Sequence, residues 1–304
     1  MKKILCINEE MGKDPSFRFR ALPFIPYLNS AGFEVDMIEG VPAQSFDDTK
    51  YDAIWIRRQI IPKQILETLQ KICPIIYDFD DSLFLRTGFR DVVSASADVL
   101  CGSKMLSYYA LLGGAKSTSL LRTGIDVVSY PISSRSERMM VWTGSWSTIP
   151  HLLHIRDDLI RLNEAGIKLR VVCDNKPKLP FDFDFIPWTS KTEKIALSCA
   201  AVGIAPLPAN LSTVGKCALK IAQYMAAGLP VVASSVGANK EMFADLGCQG
   251  LCLQAKDSFH DAVLSVLDSQ TCDKMAEKNR DIAMKFLDIN ILAETLINTF
   301  HQVT

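Results

Sequence analysis

Short apolar runs alternate with helix-length segments along this chain, and they do so in two separate series. The first series has strand-like runs at 3–8, 34–39, 52–58, 74–81, 97–103 and 117–126, with helical patterns at 21–32, 63–72 and 104–115. Residues 9–20, EEMGKDPSFRFR, read as a long loop. The stretch 130–138, YPISSRSER, is polar and aperiodic and reads as a linker. The pattern then restarts, with strands expected at 140–145, 169–174, 183–188, 202–208, 230–235 and 250–254. Helices are expected at 151–166, at 191–200 with Ser190 and Glu193 as its capping box, and from about Gly215 to Ala227. Segments 256–268, 271–286 and 289–303 close the chain as helices. Strand and helix alternating twice predict an α/β protein of two doubly wound parallel-sheet, Rossmann-like domains facing across a cleft, over 1–133 and 138–288. A length of 304 residues suits two such domains.

Several function classes are excluded at this stage. A net charge of −1 with no Lys/Arg run gives no footing for nucleic acid. No apolar stretch reaches the ~18–20 residues that span a bilayer. The nine cysteines include no CxxC pair and mostly sit in apolar runs, which predicts a reduced, cytoplasmic protein without structural zinc. His151 and His154 lack an evident third ligand, so no metal is expected. The first loop lacks GxGxxG, which argues against a nicotinamide dehydrogenase.

The chemistry concentrates in Ser212–Glu241, STVGKCALKIAQYMAAGLPVVASSVGANKE. Gly228 and Pro230 end its first helix. On a helix from Gly215, Lys216, Lys220 and Gln223 share one stripe through spacings of four and three. Two cations near a helix N-terminus suit an anion, while the plainer reading has both lysines reaching to solvent. Gly144 and Ser145 occupy a strand-to-helix turn whose N–H groups suit phosphate, although such turns are common. Trp188, ending a strand, suits a nucleotide base or rim packing. Asp78, Asp80 and Asp81 end the fourth strand, with Asp78 and Asp80 on one face. They read either as an ion-pair network with Arg18, Arg20 and Arg58 or as groups that orient an acceptor and take its hydroxyl proton.

WTGSWST (142–148), VGIAPLP (202–208) and the 215–241 block together resemble the donor half of family 4 (group 1) glycosyltransferases of the GT-B fold. In the first half, SFRFRALPFIPYLNSAGFEV, YDAIWIRRQ, IIYDFDDSLF and RTGID resemble bacterial members that act on surface polysaccharides. The resemblance implies retaining transfer of a hexose from a UDP- or GDP-sugar to a glycan or lipid-linked acceptor, with no metal and no cofactor. For such a transfer the candidates for catalysis are Asp78, Asp80, Asp81 and Lys216, read from their own positions in the chain. Donor binding falls to Gly144, Ser145, Trp188, Thr213, Gly215, Lys216, Lys220 and Gln223, and the acceptor side to Ser16, Arg18, Arg20 and Arg58. The resemblance also implies that residues 289–304 pack back on the first domain, and peripheral contact with the inner membrane face where the acceptor is lipid-linked. Two departures stand out. Gly215 and Gln223 occupy positions where the family carries paired glutamates, and the first basic residue after WTGS is Arg156. They keep two alternatives open: a non-catalytic nucleotide-sugar-binding subunit, and a nucleotide-sugar epimerase.

Overall fold

The computed structural model describes residues 1–12, 14–41, 50–133, 136, 138–268, 270 and 272–304. Part of the expected linker, Ser134, Arg135 and Glu137, lies outside the described residues, as does the first residue of the helix expected over 271–286. The chain forms two compact units. Unit 1 comprises 1–124, 214–217 and 289–304, and unit 2 comprises 125–213 and 218–288.

Unit 1 holds six parallel strands: β1 (Lys2–Asn8), β2 (Phe33–Glu39), β3 (Ala53–Arg57), β4 (Ile75–Phe79), β5 (Asp98–Cys101) and β6 (Thr118–Leu120), in the order β2-β1-β3-β4-β5-β6. The central strands are apolar on both faces because helices cover both. One face buries Ile54, Ile56, Tyr77 and Phe79 under α3 (Lys63–Ile72), α4 (Phe89–Ala95) and α5 (Lys104–Leu112). The other buries Ile4, Cys6, Trp55 and Ile76 under α1 (Pro15–Arg20), α2 (Ile25–Ser30) and the terminal helix α14 (Ile289–Val303). That helix contributes Leu292, Ala293, Leu296 and Phe300, and Phe300 meets Trp55 edge-on at 5.8 Å. Each large apolar side chain fully buried here contributes ~1.5–3 kcal/mol. Burial also pushes the Cys6 thiol up to about 12, so it packs as a small hydrophobe.

Two helices of unit 1 differ from expectation. The expected loop 9–20 contains α1, because Asp14 caps it by accepting from the N–H groups of Ser16 and Phe17 and Pro15 sits at its first turn. Helix α4 starts at Gly88, whose φ of 88° only glycine adopts readily.

Unit 2 repeats the plan with β7 (Met139–Thr143), β8 (Lys168–Cys173), β9 (Asp184–Pro187), β10 (Val202–Ala205), β11 (Val231–Ser234) and β12 (Gly250–Leu253), in the order β12-β11-β10-β7-β8-β9. Its helices are α6 (Ile149–Leu153), α7 (Arg156–Glu164), α8 (Ser190–Ser198), α9 (Leu211–Val214), α10 (Leu219–Ala226), α11 (Ala238–Leu246), α12 (Phe259–Leu267) and α13 (Cys272–Phe286), the last residue of α9 counting with unit 1. All strands are parallel, and strand order reverses between β10 and β7. In such sheets ligands sit off the carboxyl ends of the strands at that reversal.

Two local readings are corrected in unit 2. The capping box opening α8 is Thr189 with Thr192, each side chain accepting the other's backbone N–H, while Glu193 turns inward and is 6% exposed. The helix expected from Gly215 starts instead at Leu219. Ala218, at φ 54°, lies in the left-handed region and breaks the chain between Gly215 and the helix.

Candidate functional site

In unit 1 the carboxyl ends of β1, β3 and β4 carry a dense ionic cluster beside the β1/β3 strand reversal. Asp78 is fully buried, its Oδ1 paired with Arg20 Nη2 and its Oδ2 3.1 Å from Arg57 Nε. Arg57 also donates to Asn8 Oδ1 at 3.1 Å and to Ser16 Oγ at 2.9 Å. Arg20 donates to the Leu121 carbonyl at 2.5 Å. Ser16 and Arg20, expected on the acceptor side, are thus framework. Asp78, expected in catalysis, cannot reach a substrate because both its oxygens are held by buried guanidiniums. Arg18 is half-buried beside the Phe19 ring.

The exposed edge of the cluster is different. Arg58 follows β3 at φ 59°, a left-handed conformation that disfavours a side chain by ~1–2 kcal/mol. Its N–H donates to the Asp78 carbonyl, and its guanidinium reaches Asp80 at 3.0 Å, Glu9 at 3.4 Å and Asp81 at 3.9 Å. Burial works to raise the Asp80 pKa, but Arg58, Arg20, Arg57 and a Ser16 hydrogen bond hold it below the ordinary carboxylate value. A depressed native pKa stabilises the fold above the unfolded value near ~4, and that contribution is lost as pH falls through the native value. Unfolding free energy is therefore expected to drop steeply below about pH 4. In acid titrations followed by circular dichroism, Asp80→Asn should flatten that slope, and an unchanged slope would refute the assignment.

Asp81 is 24% exposed and accepts from Lys216 Nζ at 2.8 Å, while Gly215 N donates to Ser82 Oγ at 3.2 Å. A Cβ on Gly215 would lie 2.4 Å from Ser82 Oγ, 2.7 Å from its N and 2.9 Å from its Cα. Only glycine fits there. Gly102 is similarly filled, with Cys217 Sγ 2.4 Å from its Cβ position. Gly215→Ala is expected to destabilise unit 1 by ~1–3 kcal/mol, since the neighbour in the way is backbone. Adding Ser82→Gly should not rescue it, because the Ser82 N and Cα stay in place. A thermal midpoint equal to wild type would contradict this packing.

In unit 2 the site forms at the carboxyl end of β7, beside the β10/β7 reversal. Gly144 N donates to the Val172 carbonyl at 3.1 Å, so this amide extends the sheet and does not face an anion. A Cβ there would meet Thr148 Oγ1 at 2.5 Å and the Trp142 ring at 2.7 Å. Ser145 Oγ lies 2.8 Å from Ser147 Oγ, and Trp146 N donates to Asp174 Oδ1 at 2.7 Å. Trp146 itself is 62% exposed. Lys220 Nζ sits over the buried Trp142 ring, 5.4 Å from its centroid, which brings this cation to the turn after β7.

The expected stripe of Lys216, Lys220 and Gln223 does not exist. Lys216 precedes the helix and pairs with Asp81, and Gln223 is 2% exposed and hydrogen-bonded to the Tyr130 side chain. Thr213 is also buried, donating from Oγ1 to the Pro208 carbonyl and closing the Asn210 turn. Trp188 is half-buried, its N–H donating to the Cys173 carbonyl at 2.9 Å. Sequence reasoning passed over Arg57, Trp146 and Asp174, and placed Glu193 only in a helix cap. Glu193 accepts from Thr143 Oγ1 at 2.5 Å just below the β7 turn. The tryptophan directly after the Gly-Ser turn was the available signal for Trp146.

A cavity of about 520 Å³ opens beyond β10, β11 and β12, lined by Leu207, Ser234, Val236, Leu253, Phe259 and Arg156. It puts the first basic residue after the β7 turn at the same rim of the sheet.

Comparison with known proteins centres on this unit: residues 141–269 match the family model described as Glycosyl transferases group 1. The whole chain superposes on solved glycosyltransferases. HepE from Anabaena, in complex with UDP, gives a TM-score of 0.71 at 15% identity over 99% of this chain and 100% of that one. A glycosyltransferase from Rickettsia africae gives 0.74 at 12% identity over 99% and 98%. The fold is GT-B. An alpha-glucosyltransferase in complex with UDP shows the same GT-B likeness, with a TM-score of 0.69 at 10% identity over 99% and 100%. No curated protein matches the chain. No helix among the described residues is long and apolar enough to cross a membrane.

Proposed function

We propose that the chain is a glycosyltransferase that takes a hexose from a UDP- or GDP-sugar held by unit 2 and transfers it to a glycan or lipid-linked acceptor hydroxyl. One observation carries this reading. The family-model match runs from within β7 past the end of α12 and so contains the other five strands of the second sheet, the strand reversal and Lys220. The complexes of two neighbours with UDP support the donor class.

In this reading Lys220 and the N–H groups of the first turn of α10, which no helical carbonyl can satisfy, face the diphosphate. As the bond from the anomeric carbon to the phosphate oxygen breaks, its electron pair passes to the diphosphate and Lys220 stabilises the added charge. The acceptor oxygen bonds to the anomeric carbon with retention of configuration. Asp81, the most exposed of the three strand-end carboxylates, takes the hydroxyl proton. Neither metal nor cofactor has a part in these steps. Surface-polysaccharide synthesis on the cytoplasmic side of the membrane is the setting that fits a lipid-linked acceptor.

Thermal unfolding with UDP, GDP and their hexose conjugates tests the donor, since a ligand that binds the native state raises its midpoint. A rise with one nucleotide series, followed by a new glycosidic bond when acceptor glycans are added, is the expected result. No shift with either series would refute the reading. A second reading, a nucleotide-sugar-binding subunit without activity, is favoured by Gly215, which admits no side chain, and by the buried Gln223. It predicts the same midpoint rise with no donor consumed.

A further inference from the structure

The turn after β7 is braced from several directions. Asp174, the first residue after β8, accepts three hydrogen bonds on one oxygen. Its Oδ1 takes the Trp146 N–H at 2.7 Å, the Asn175 N–H at 3.2 Å and the Cys173 thiol at 3.1 Å. Burial pushes that thiol up to about 11, so it keeps its proton and stays a donor. Thr148 donates to the Ser145 carbonyl from both its N–H and its hydroxyl, each at 2.9 Å. The residue fixed by these contacts, Trp146, nonetheless has its indole in water. Of the other tryptophans, Trp55 and Trp142 are fully buried and Trp188 is half-buried. A single exposed aromatic is ordinary on a protein surface, but one whose backbone is already ordered offers a ligand ring a contact at low entropic cost.

We propose that Trp146 is the platform on which the nucleobase of the donor stacks. The inference rests on the transfer reading, which supplies the nucleotide. In the order β12-β11-β10-β7-β8-β9, β8 lies on the side of β7 away from the reversal. Lys220, over Trp142 of β7, marks the diphosphate, and the bond to Asp174 draws Trp146 to the β8 side. Neighbouring strands are ~4.8 Å apart, a gap that the ribose between phosphate and base can bridge. The nucleoside then runs towards β8, and the hexose lies towards β10. Every base has a π-face, so the indole adds affinity for uracil and guanine alike and does not choose between them. Trp188 also sits at the end of β8, through its N–H on the Cys173 carbonyl, and serves as the comparison.

The test is calorimetric titration of the full chain with UDP, GDP, their hexose conjugates and inorganic pyrophosphate. Trp146→Ala should raise the Kd of the nucleotide that binds by roughly 5–150-fold, the range for losing one base–aromatic stack, while pyrophosphate binds as it does to wild type. Trp146→Phe should recover most of the loss, because a phenyl ring keeps a π-face. Both variants retain the backbone N–H that Asp174 holds. In wild type the nucleotide should shield the exposed indole from iodide quenching, and pyrophosphate should not. Should the alanine variant fail to fold, this shielding decides, and quenching unchanged by the nucleotide would overturn the platform. Wild type that binds neither nucleotide would refute the transfer reading and the platform with it. Wild type that binds a nucleotide which Trp146→Ala binds equally well would overturn the platform alone. So would an equal loss for pyrophosphate, which would make Trp146 a brace of the turn, or a loss confined to the hexose conjugate, which would put the sugar on the indole. A loss in Trp188→Ala with none in Trp146→Ala would move the base to Trp188 and overturn it as well.

Discussion

Asp78→Ala is expected to destabilise unit 1 by roughly 3–5 kcal/mol, the range for removing one partner of a buried ion pair. The carboxylate is fully buried and lies against two guanidiniums that are 0% and 2% exposed. Without it, Arg20 and Arg57 remain out of water beside Asp80 alone, a carboxylate already engaged by Arg58. Such a loss lowers the unfolding midpoint by roughly 6–20 °C for a domain of this size. Differential scanning calorimetry of the variant measures it. Asp81→Ala serves as the comparison, because its carboxylate is partly solvated and its pairing with Lys216 is exposed on both sides. If the two variants melted together within about 2 °C, the buried triad would not be the framework described here.

The second large effect is expected at Lys220. If this ammonium stabilises the departing diphosphate, Lys220→Ala lowers kcat by roughly 10²–10³-fold, the usual cost of removing one preorganised group from a developing anion. Stability should hardly change, since the lysine lies over Trp142 at the sheet rim and fills no core volume. Lys220→Arg should recover part of the rate, because a guanidinium can also lie on an indole face. Initial rates with saturating donor separate the outcomes. A variant that loses affinity while kcat is unchanged would make Lys220 a ground-state contact, and one that keeps both would remove it from the site.

Much of the architecture was legible before any coordinates. The central strands of both sheets carry the apolar runs that a sheet covered on both faces requires, and Gly228 and Pro230 mark the end of α10 in plain view. The site was less legible because its geometry depends on contacts distant in sequence. A helix starting at Gly215 satisfies local propensity, but Gly215 and Cys217 are seated against Ser82 and Gly102, which forces Ala218 into the left-handed region. The spacing of Lys216, Lys220 and Gln223 therefore ceased to mean a shared face. Thr213 and Gln223 are polar residues at plausible positions, and nothing in their neighbours announced that both turn inward. Of the arginines expected beside the strand-end carboxylates, Arg20 and Arg58 meet them, yet which carboxylate meets solvent depends on Arg57, an unremarkable member of a strand.

The packing of α14 into unit 1 carries a consequence for synthesis on the ribosome. Phe300 and Leu296 complete the layer over Trp55 and Ile4, so the first sheet is expected to wait, with that layer unfilled, until α14 emerges. The middle of the chain, 125–213 and 218–288, has all its own strands and helices available earlier. The domain that begins first should therefore mature last, and a nascent chain stalled before Ile289 should present a finished second fold beside a first one still open to chaperones.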